Sequence, residues 1–449
     1  MTEIRDPIHG FITPSDTELK IINTPVFQRL RKIRQLAMAN LIYPGANHTR
    51  FEHSLGTYHI ASRMAEKLLP GIENEEKRRS IKFAALLHDV GHGSFSHVSE
   101  TVLDDYSDNL AKNGKGKIHE KITIDIIKND KELSKLISEN DKNTVINLLG
   151  KSPVDVALMK NIVSGPLDAD KMDYLLRDSY FCGVKYGVFD LDRILNTVES
   201  YDDKLDKYIA VKYDGVNSLE QFALAKYYMT MQVYRHKGRC VTDAMIIRGL
   251  KLGIEKDEID FLIELFNYKN TPEYIYNYLK YWDDRILYEL AFSRTSGYAH
   301  EIFHRLYKRN LFKTVFEERL KNLNLSDKFR DVIINITEKA NKNKRSRIEK
   351  EISLLPNINC CAENVILNSF TVKSVKEMSS DNEGDIIVIS REGNKRCFKE
   401  ESTVFASIDE SMKDIKVEVY ATLDNPSLSE KKKQDLRASI RQILEGEKE

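Results

Sequence analysis

Apolar Phe27, Leu30, Ile33 and Leu36 recur at helical spacing behind Thr24 and Pro25, which predicts a one-sided helix over 24–39 with Thr24 as its N-cap. Its other face carries Arg29, Arg31, Lys32 and Arg34, a set that suits either a solvated surface or a phosphate site. The same reading places helices over 54–69, stopped by Pro70 and Gly71, and over 77–92, ending in Gly91 and Gly93. Helical patterns continue over 119–128, 153–163 and 168–181; residues 207–213 alternate like a short strand, and 218–256 returns to a helical pattern.

Beyond about residue 357 the texture changes, with β-branched runs over 385–390, 396–407 and 415–422 and Glu392-Gly393-Asn394 as a hairpin turn. A lysine-rich stretch over 339–350 precedes this region as an exposed helix or linker. Residues 427–449 close the chain as a charged amphipathic helix with Leu436, Ile440 and Leu444 on one side. The expected fold is mainly α: a helical core over 1–255, a helical extension over 256–356 and a smaller α+β C-terminal lobe over 357–449.

Composition adds exclusions. Of the 449 residues, 41% are hydrophobic and 31% charged, the balance of a soluble globular chain. Basic and acidic residues number 69 each, so no global field points to nucleic acid or to an anionic membrane, and any phosphate-binding charge must be local. The five cysteines form no CxxC pair and MTEIRDPIHG has no apolar signal core, so a reducing cytoplasm is expected. No apolar run approaches the roughly 20 residues that span a bilayer.

The candidate chemistry begins at His88-Asp89, which follows the apolar FAALL and precedes Val90-Gly91-His92. Alone, such a dipeptide is a weak signal. His53 in HTRFEHSLG and Asp170 in LDADKMDY strengthen it, because two imidazoles and two carboxylates form a mixed N/O set without thiolates that suits Mn, Fe, Zn or Mg and leaves positions open for water and phosphate.

The blocks DPIHG (6–10), FQRLRKIRQL (27–36), HTRFEHSLG (48–56), LLHDVGHGSFSH (86–97), HE (119–120), DADKMDYLLRD (168–178) and YRHK (234–237) occur in the order seen in HD-domain deoxynucleoside triphosphate triphosphohydrolases. Over residues 4–255 the chain resembles that family, in particular bacterial dNTPases and the catalytic core of the mammalian SAM-and-HD-domain dNTPase. The resemblance implies His53, His88, Asp89 and Asp170 as ligands of a divalent metal, and His92, His97 and His119 as catalytic groups lining the α-phosphate, with His119 the proton donor to the leaving 5′-oxygen. It also implies Arg50, Lys171, Lys226 and Lys237 as phosphate contacts. Gln35, Tyr174 and Asp178 would meet the deoxyribose, and Tyr234 would crowd its 2′ position. Lys226 stands where relatives carry arginine, which keeps the charge and loses the bidentate fork.

A nucleotide activator at a subunit interface, and a homo-oligomer of dimers or higher, are further implications. The positions are Gln28, Arg31 and Asn23, the last standing where the mammalian relative uses aspartate to read guanine. The expected reaction is hydrolysis of dNTP to deoxynucleoside and triphosphate. Two alternatives stand beside it: another HD phosphohydrolase reaction on nucleotides or single-stranded nucleic acid, and a nucleotide sensor with secondary catalysis.

Overall fold

A computed structural model describes residues 2–107, 118–150, 157–203, 206–320, 329–330, 333–334, 341–372, 380–381, 384–407, 414–425 and 427–446. The start of the helix expected over 153–163, residues 339–340 of the lysine-rich stretch and the last three residues lie outside them. The fold is mainly helical with small sheets, and no helix among the described residues is long and apolar enough to cross a membrane.

The chain divides into two compact units that interleave: residues 1–236, 260–288 and 375–409 form the first, and 237–259, 289–374 and 410–449 the second. Sequence texture suggested three consecutive segments instead. Strand pairing explains the difference, because it is decided by partners far away in the chain. Ile387–Ile389 runs parallel to Asp206–Lys212, which pairs antiparallel with Val198–Asp203, so the segment around it joins the first unit. Asp414–Ala421 instead lies between Lys313–Arg319 and Ile366–Val372 in the second unit.

In the first unit the helix Arg50–Leu68 packs against both Glu75–Leu87 and Ala169–Cys182. Buried Leu55, Ile60, Ala61 and Met64 of the first, and Ile81, Ala84, Ala85 and Leu87 of the second, supply the apolar interface. A hairpin, Ile4–Asp6 with Gly10–Ile12, lies at the N-terminus, its turn reaching a positive φ of 76° at Gly10.

The helix expected over 24–39 is corrected. Pro25–Gln28 makes one α-turn, Arg29–Lys32 continues as a 3₁₀ turn, and Ile33 is extended. Thr24 makes no side-chain cap; its hydroxyl donates to Ile21 O at 2.7 Å. The backbone beyond Lys32 has better partners than a helix would offer: Arg50 N donates to Ile33 O at 2.9 Å and Gln35 N to His48 O at 3.1 Å. Buried Arg29 completes the break by donating to the carbonyls of His92, Leu279 and Tyr281. The helix expected to reach residue 92 likewise stops at Leu87.

The second unit packs Lys342–Ser353 and Glu430–Gly446 on its three-stranded sheet, around a core containing Val417, Val419, Ile348, Ile352, Leu436, Ile440 and Leu444. The hairpin at Gly393, with φ +84°, joins Ile387–Ile389 to Lys395–Cys397 in the first unit, but the β-run expected to continue to 407 turns into the short helices Phe398–Glu401 and Thr403–Ala406. Ile440 is fully buried, so Ile440→Ala should lower the stability of the second unit by about 2–4 kcal/mol, read by urea unfolding. A shift below about 0.5 kcal/mol, the level of ordinary surface substitutions, would contradict the assigned core.

Candidate metal centre

The helix Arg50–Leu68 opens with a capping box in which Thr49 Oγ1 accepts from the backbone and the Glu52 carboxylate accepts Thr49 N at 2.9 Å. This fixes the first turn, where Arg50 and His53 sit three residues apart on one face and are both buried. His53 Nδ1 lies 2.8 Å from Asp173 Oδ2, so Nδ1 carries the proton and Nε2 points the other way. His88 is the C-cap of Glu75–Leu87. Its Nδ1 donates to Ala85 O at 2.8 Å, which again leaves Nε2 outward.

These two Nε2 atoms converge with carboxylate oxygens. His53 Nε2 is 2.9 Å from Asp170 Oδ1 and 3.7 Å from Asp89 Oδ2; His88 Nε2 is 3.4 Å from Asp89 Oδ1 and 3.8 Å from Asp170 Oδ1. A cation with bonds of about 2.1 Å needs donors no more than about 4.2 Å apart. These separations fit; His53, His88 and Asp89 form one compact donor group, and Asp170 approaches it through the two imidazoles. Nε2 of His53 and Nε2 of His88 are buried and lack a well-formed hydrogen bond, so each can offer a lone pair to a cation once any proton on it is lost.

Burial would push the Asp89 carboxyl up, but Arg50, His88 and His92 hold it well below the usual range, and His53 and His88 do the same for Asp170 against its own burial. Burial alone would lower His53. The carboxylates of Asp170 and Asp173 overcome it and raise the imidazole to about 10, and His88 is raised in the same way by Asp89 and Asp170.

Behind His53 stands a layer of buried charged residues. Asp173 is fully buried. It lies 2.7 Å from His9 Nε2 and accepts from Arg177 Nε at 2.8 Å and Nη2 at 2.9 Å, while Arg177 Nη1 donates to Asp6 Oδ2 at 2.9 Å. Gly56 makes room for it, because a Cβ there would overlap Asp173 Oδ1 and Arg177 Nη2. The signal was present as the spacing of Asp173 and Arg177, one turn apart on the helix that also carries Asp170.

A second group borders the first. His92 Nε2 lies 3.3 Å from Asp89 Oδ1, the His92 ring stacks on His119 at 4.0 Å between centroids, and His97 stands 4.7 Å from His92. Glu100, absent from the sequence reading, contacts both His97 and His119. Burial and the Arg50 charge hold His92 well below its ordinary value; burial and His97 do so for His119. Gly91 permits this arrangement: a Cβ would overlap His119 O and Thr123 N, so glycine lets the helix Ile118–Asn129 approach the turn after His88.

The sugar-site candidates also gather. Asp178 Oδ2 accepts the Tyr234 hydroxyl at 2.6 Å, and Asp178 Oδ1 lies 2.7 Å from Nε2 of His48, a buried residue that sequence reading did not single out. The Tyr174 ring is 6.3 Å from that of Tyr234, and the buried Gln35 Oε1 has no hydrogen-bond partner. Tyr234 ends a π-helical turn, Met229–Tyr234, a local form frequent at functional sites.

Other expected residues have partners of their own. Lys171 Nζ bonds Asp168 Oδ2 at 2.6 Å and Gly165 O at 2.9 Å; Lys226 is half-buried on Val216–Tyr228; Lys237 opens the second unit and pairs with Glu317 at 2.8 Å. Of the activator candidates, Gln28 accepts from Arg31 Nε at 2.9 Å, Arg31 lies 3.5 Å over the Phe51 ring, and Asn23 is the exposed C-cap of Asp16–Ile22.

A family model described as HD domain matches residues 50–178, the span that carries both clusters, and one described as HD associated region matches 189–436. The chain belongs to the HD-domain phosphohydrolase family. As a member it is a metal-binding hydrolase. It is 31% identical over 446 residues to the uncharacterised protein MJ1154 of Methanocaldococcus jannaschii, covering 99% of this chain and 84% of that one. It is 27% identical over 367 residues to the deoxynucleoside triphosphate triphosphohydrolase SAMHD1 of Gallus gallus, covering 72% of this chain and 57% of that protein, so only a little over half of that relative is matched. A hypothetical protein from Aquifex aeolicus, known from its crystal structure, shares the fold at a TM-score of 0.70 and 29% identity, with 99% of each chain covered.

With the carboxylates of Asp170 and Asp173 raising the His53 imidazole to about 10, loading a divalent cation at neutral pH should displace a proton, and apparent affinity should rise with pH up to about 10. Calorimetric Mn2+ titration in two buffers of different ionisation enthalpy reads this directly. Equal heats in both buffers would remove His53 from the ligand set.

Proposed function

We propose that the chain hydrolyses deoxynucleoside triphosphates to deoxynucleoside and inorganic triphosphate. One observation carries the reading. Asp170, Tyr174 and Asp178 stand at i, i+4 and i+8 of the helix Ala169–Cys182, which puts the cation cluster and the Asp178–Tyr234 pair on one face, with Asp170 and Asp178 about 12 Å apart along the helix axis. Side chains reaching toward each other from these positions can bracket one nucleotide, with its phosphate at the first and its sugar at the second.

In this reading His53, His88, Asp89 and Asp170 hold the cation, which is Mn, Fe, Mg or Zn from the N/O character of the donors. When bound it supplies positive charge against the developing charge of a phosphoryl group. Arg50 keeps one guanidinium nitrogen on Asp89 and has its buried Nη2 unpaired, a donor available to a phosphate oxygen. His92, His97 and His119 flank the same phosphate, and His119 donates the proton to the leaving 5′-oxygen. Its neutrality in the free protein is compatible with that role, since an arriving phosphate anion raises a neighbouring imidazole. Lys171 must exchange Asp168 for phosphate to take part.

Gln35, Tyr174 and Asp178 hold the sugar, and Tyr234 fills the space a 2′-hydroxyl would need. Regulation by a nucleotide around Asn23, Gln28 and Arg31 and assembly into a homo-oligomer belong to the same proposal, and rest on the likeness to the SAMHD1 relatives.

Incubation with each dNTP and Mn2+, followed by chromatography, should give deoxynucleoside and triphosphate; orthophosphate or pyrophosphate instead would reject the cleavage point. His88→Ala with Asp89→Ala should abolish turnover. Tyr234→Ala should lower the preference for dNTP over the matching ribonucleotide about 10-fold or more, since it opens the 2′ position. Unchanged preference in a folded variant would place the sugar elsewhere.

A further inference from the structure

The two residues before His97 adopt backbone conformations that L side chains rarely take. Phe95 has φ +63° and Ser96 has φ +52° with ψ −132°, and neither is glycine. Such strain persists only where the surroundings hold it. What holds this turn is the carboxylate of Asp283, which arrives from residues 260–288 of the same unit and is 1% exposed. Its Oδ1 accepts Phe95 N at 2.7 Å and its Oδ2 accepts Arg34 N at 2.9 Å. Phe95 is itself buried, which pins the turn from its other side.

The turn connects to the cation site through one side chain. Ser96 Oγ accepts from Arg50 Nε and donates to Arg34 O at 3.1 Å, and Arg50 Nη1 donates to Asp89 Oδ2. Asp283 therefore grips both ends of the frame that aims the Ser96 hydroxyl: the turn that bears it and the strand-like segment whose carbonyl receives its proton. Ser96 in turn fixes Arg50, and Arg50 fixes the rotation of the Asp89 carboxylate. The same turn starts the helix His97–Tyr106, so it also sets where His97 begins.

We propose that Asp283 is a positioning residue for the metal centre, acting through the Phe95–Ser96 turn and Ser96 on the Arg50–Asp89 pair. It touches neither cation nor substrate. The inference rests on the cation site of the proposed function and is independent of the choice of substrate. No signal in the local sequence around Asp283 marks it, because its partners are 188 and 249 residues away.

The test uses the whole chain and Mn2+ alone as probe, with the free-ion signal followed by electron paramagnetic resonance. Asp283→Asn, which keeps one acceptor for two backbone donors, and Ser96→Ala should each weaken Mn2+ binding about 10-fold, the scale seen when an outer partner of a metal ligand is lost. The double variant should bind no more weakly than the worse single variant, since both changes cut one chain of contacts. A merely structural Asp283 would lower Tm and leave Mn2+ binding at the wild-type value, and that result, or losses that multiply in the double variant, overturns the proposal. Asp283→Glu keeps the charge but displaces it by one methylene, and serves if Asp283→Asn does not accumulate; it should show the same loss of Mn2+ binding. Wild-type protein with no Mn2+ binding sensitive to His88→Ala would overturn the cation site and this inference together, whereas failure to cleave dNTPs with Mn2+ bound touches the substrate assignment alone.

Discussion

Carboxylates taken out of water must find opposite charge or hydrogen bonds, and the first unit is organised around meeting that demand. Asp6, Asp89, Asp173 and Asp178 are all at least nine-tenths buried, and each is met by imidazole, guanidinium or hydroxyl groups from a different stretch of chain. Removing any partner would strand a charge in a medium that solvates it poorly. The convergence of helices at the site is therefore enforced electrostatically as well as by apolar packing.

The arrangement has layers. His53, His88, Asp89 and Asp170 present donor atoms inward; Asp173, the Ala85 carbonyl and Arg50 fix the orientation of three of them from behind; Arg177, His9, Asp6 and Ser96 fix those in turn. Orientation of an imidazole by a carboxylate behind it selects which nitrogen faces the cation and makes that nitrogen more basic. Two glycines are needed because the layers are closer than a side chain allows. Gly56 admits the Asp173–Arg177 pair, and Gly91 lets the helix of His119 reach the turn that follows the His88-Asp89 dipeptide.

In the proposed reading the phosphate and sugar groups share the helix Ala169–Cys182, and the spacing of Asp170 and Asp178 is fixed by helical rise and not by loop geometry. Its two charged stripes have different partners: Asp170 meets His53 and Asp178 meets Tyr234, while Asp173 and Arg177 pair in the buried scaffold.

What the sequence determined by itself was local and periodic. Helical spacing located the main helices of the first unit, the apolar stripe of Leu436, Ile440 and Leu444 was legible, and the blocks around His53, His88 and Asp170 marked the family and its donor set. The sequence did not determine where helices yield to non-local bonds, as at Ile33, or which strands pair, so the interleaving of the two units and the split of the C-terminal region lay beyond it. It also left hidden the support residues His48 and Asp283, whose importance lies in partners 130 and 188 residues away. The reason is physical: periodicity reports which face of an element is buried, whereas the partner of a buried polar group is fixed only when distant segments are brought to hydrogen-bonding distance, and tertiary structure alone decides that.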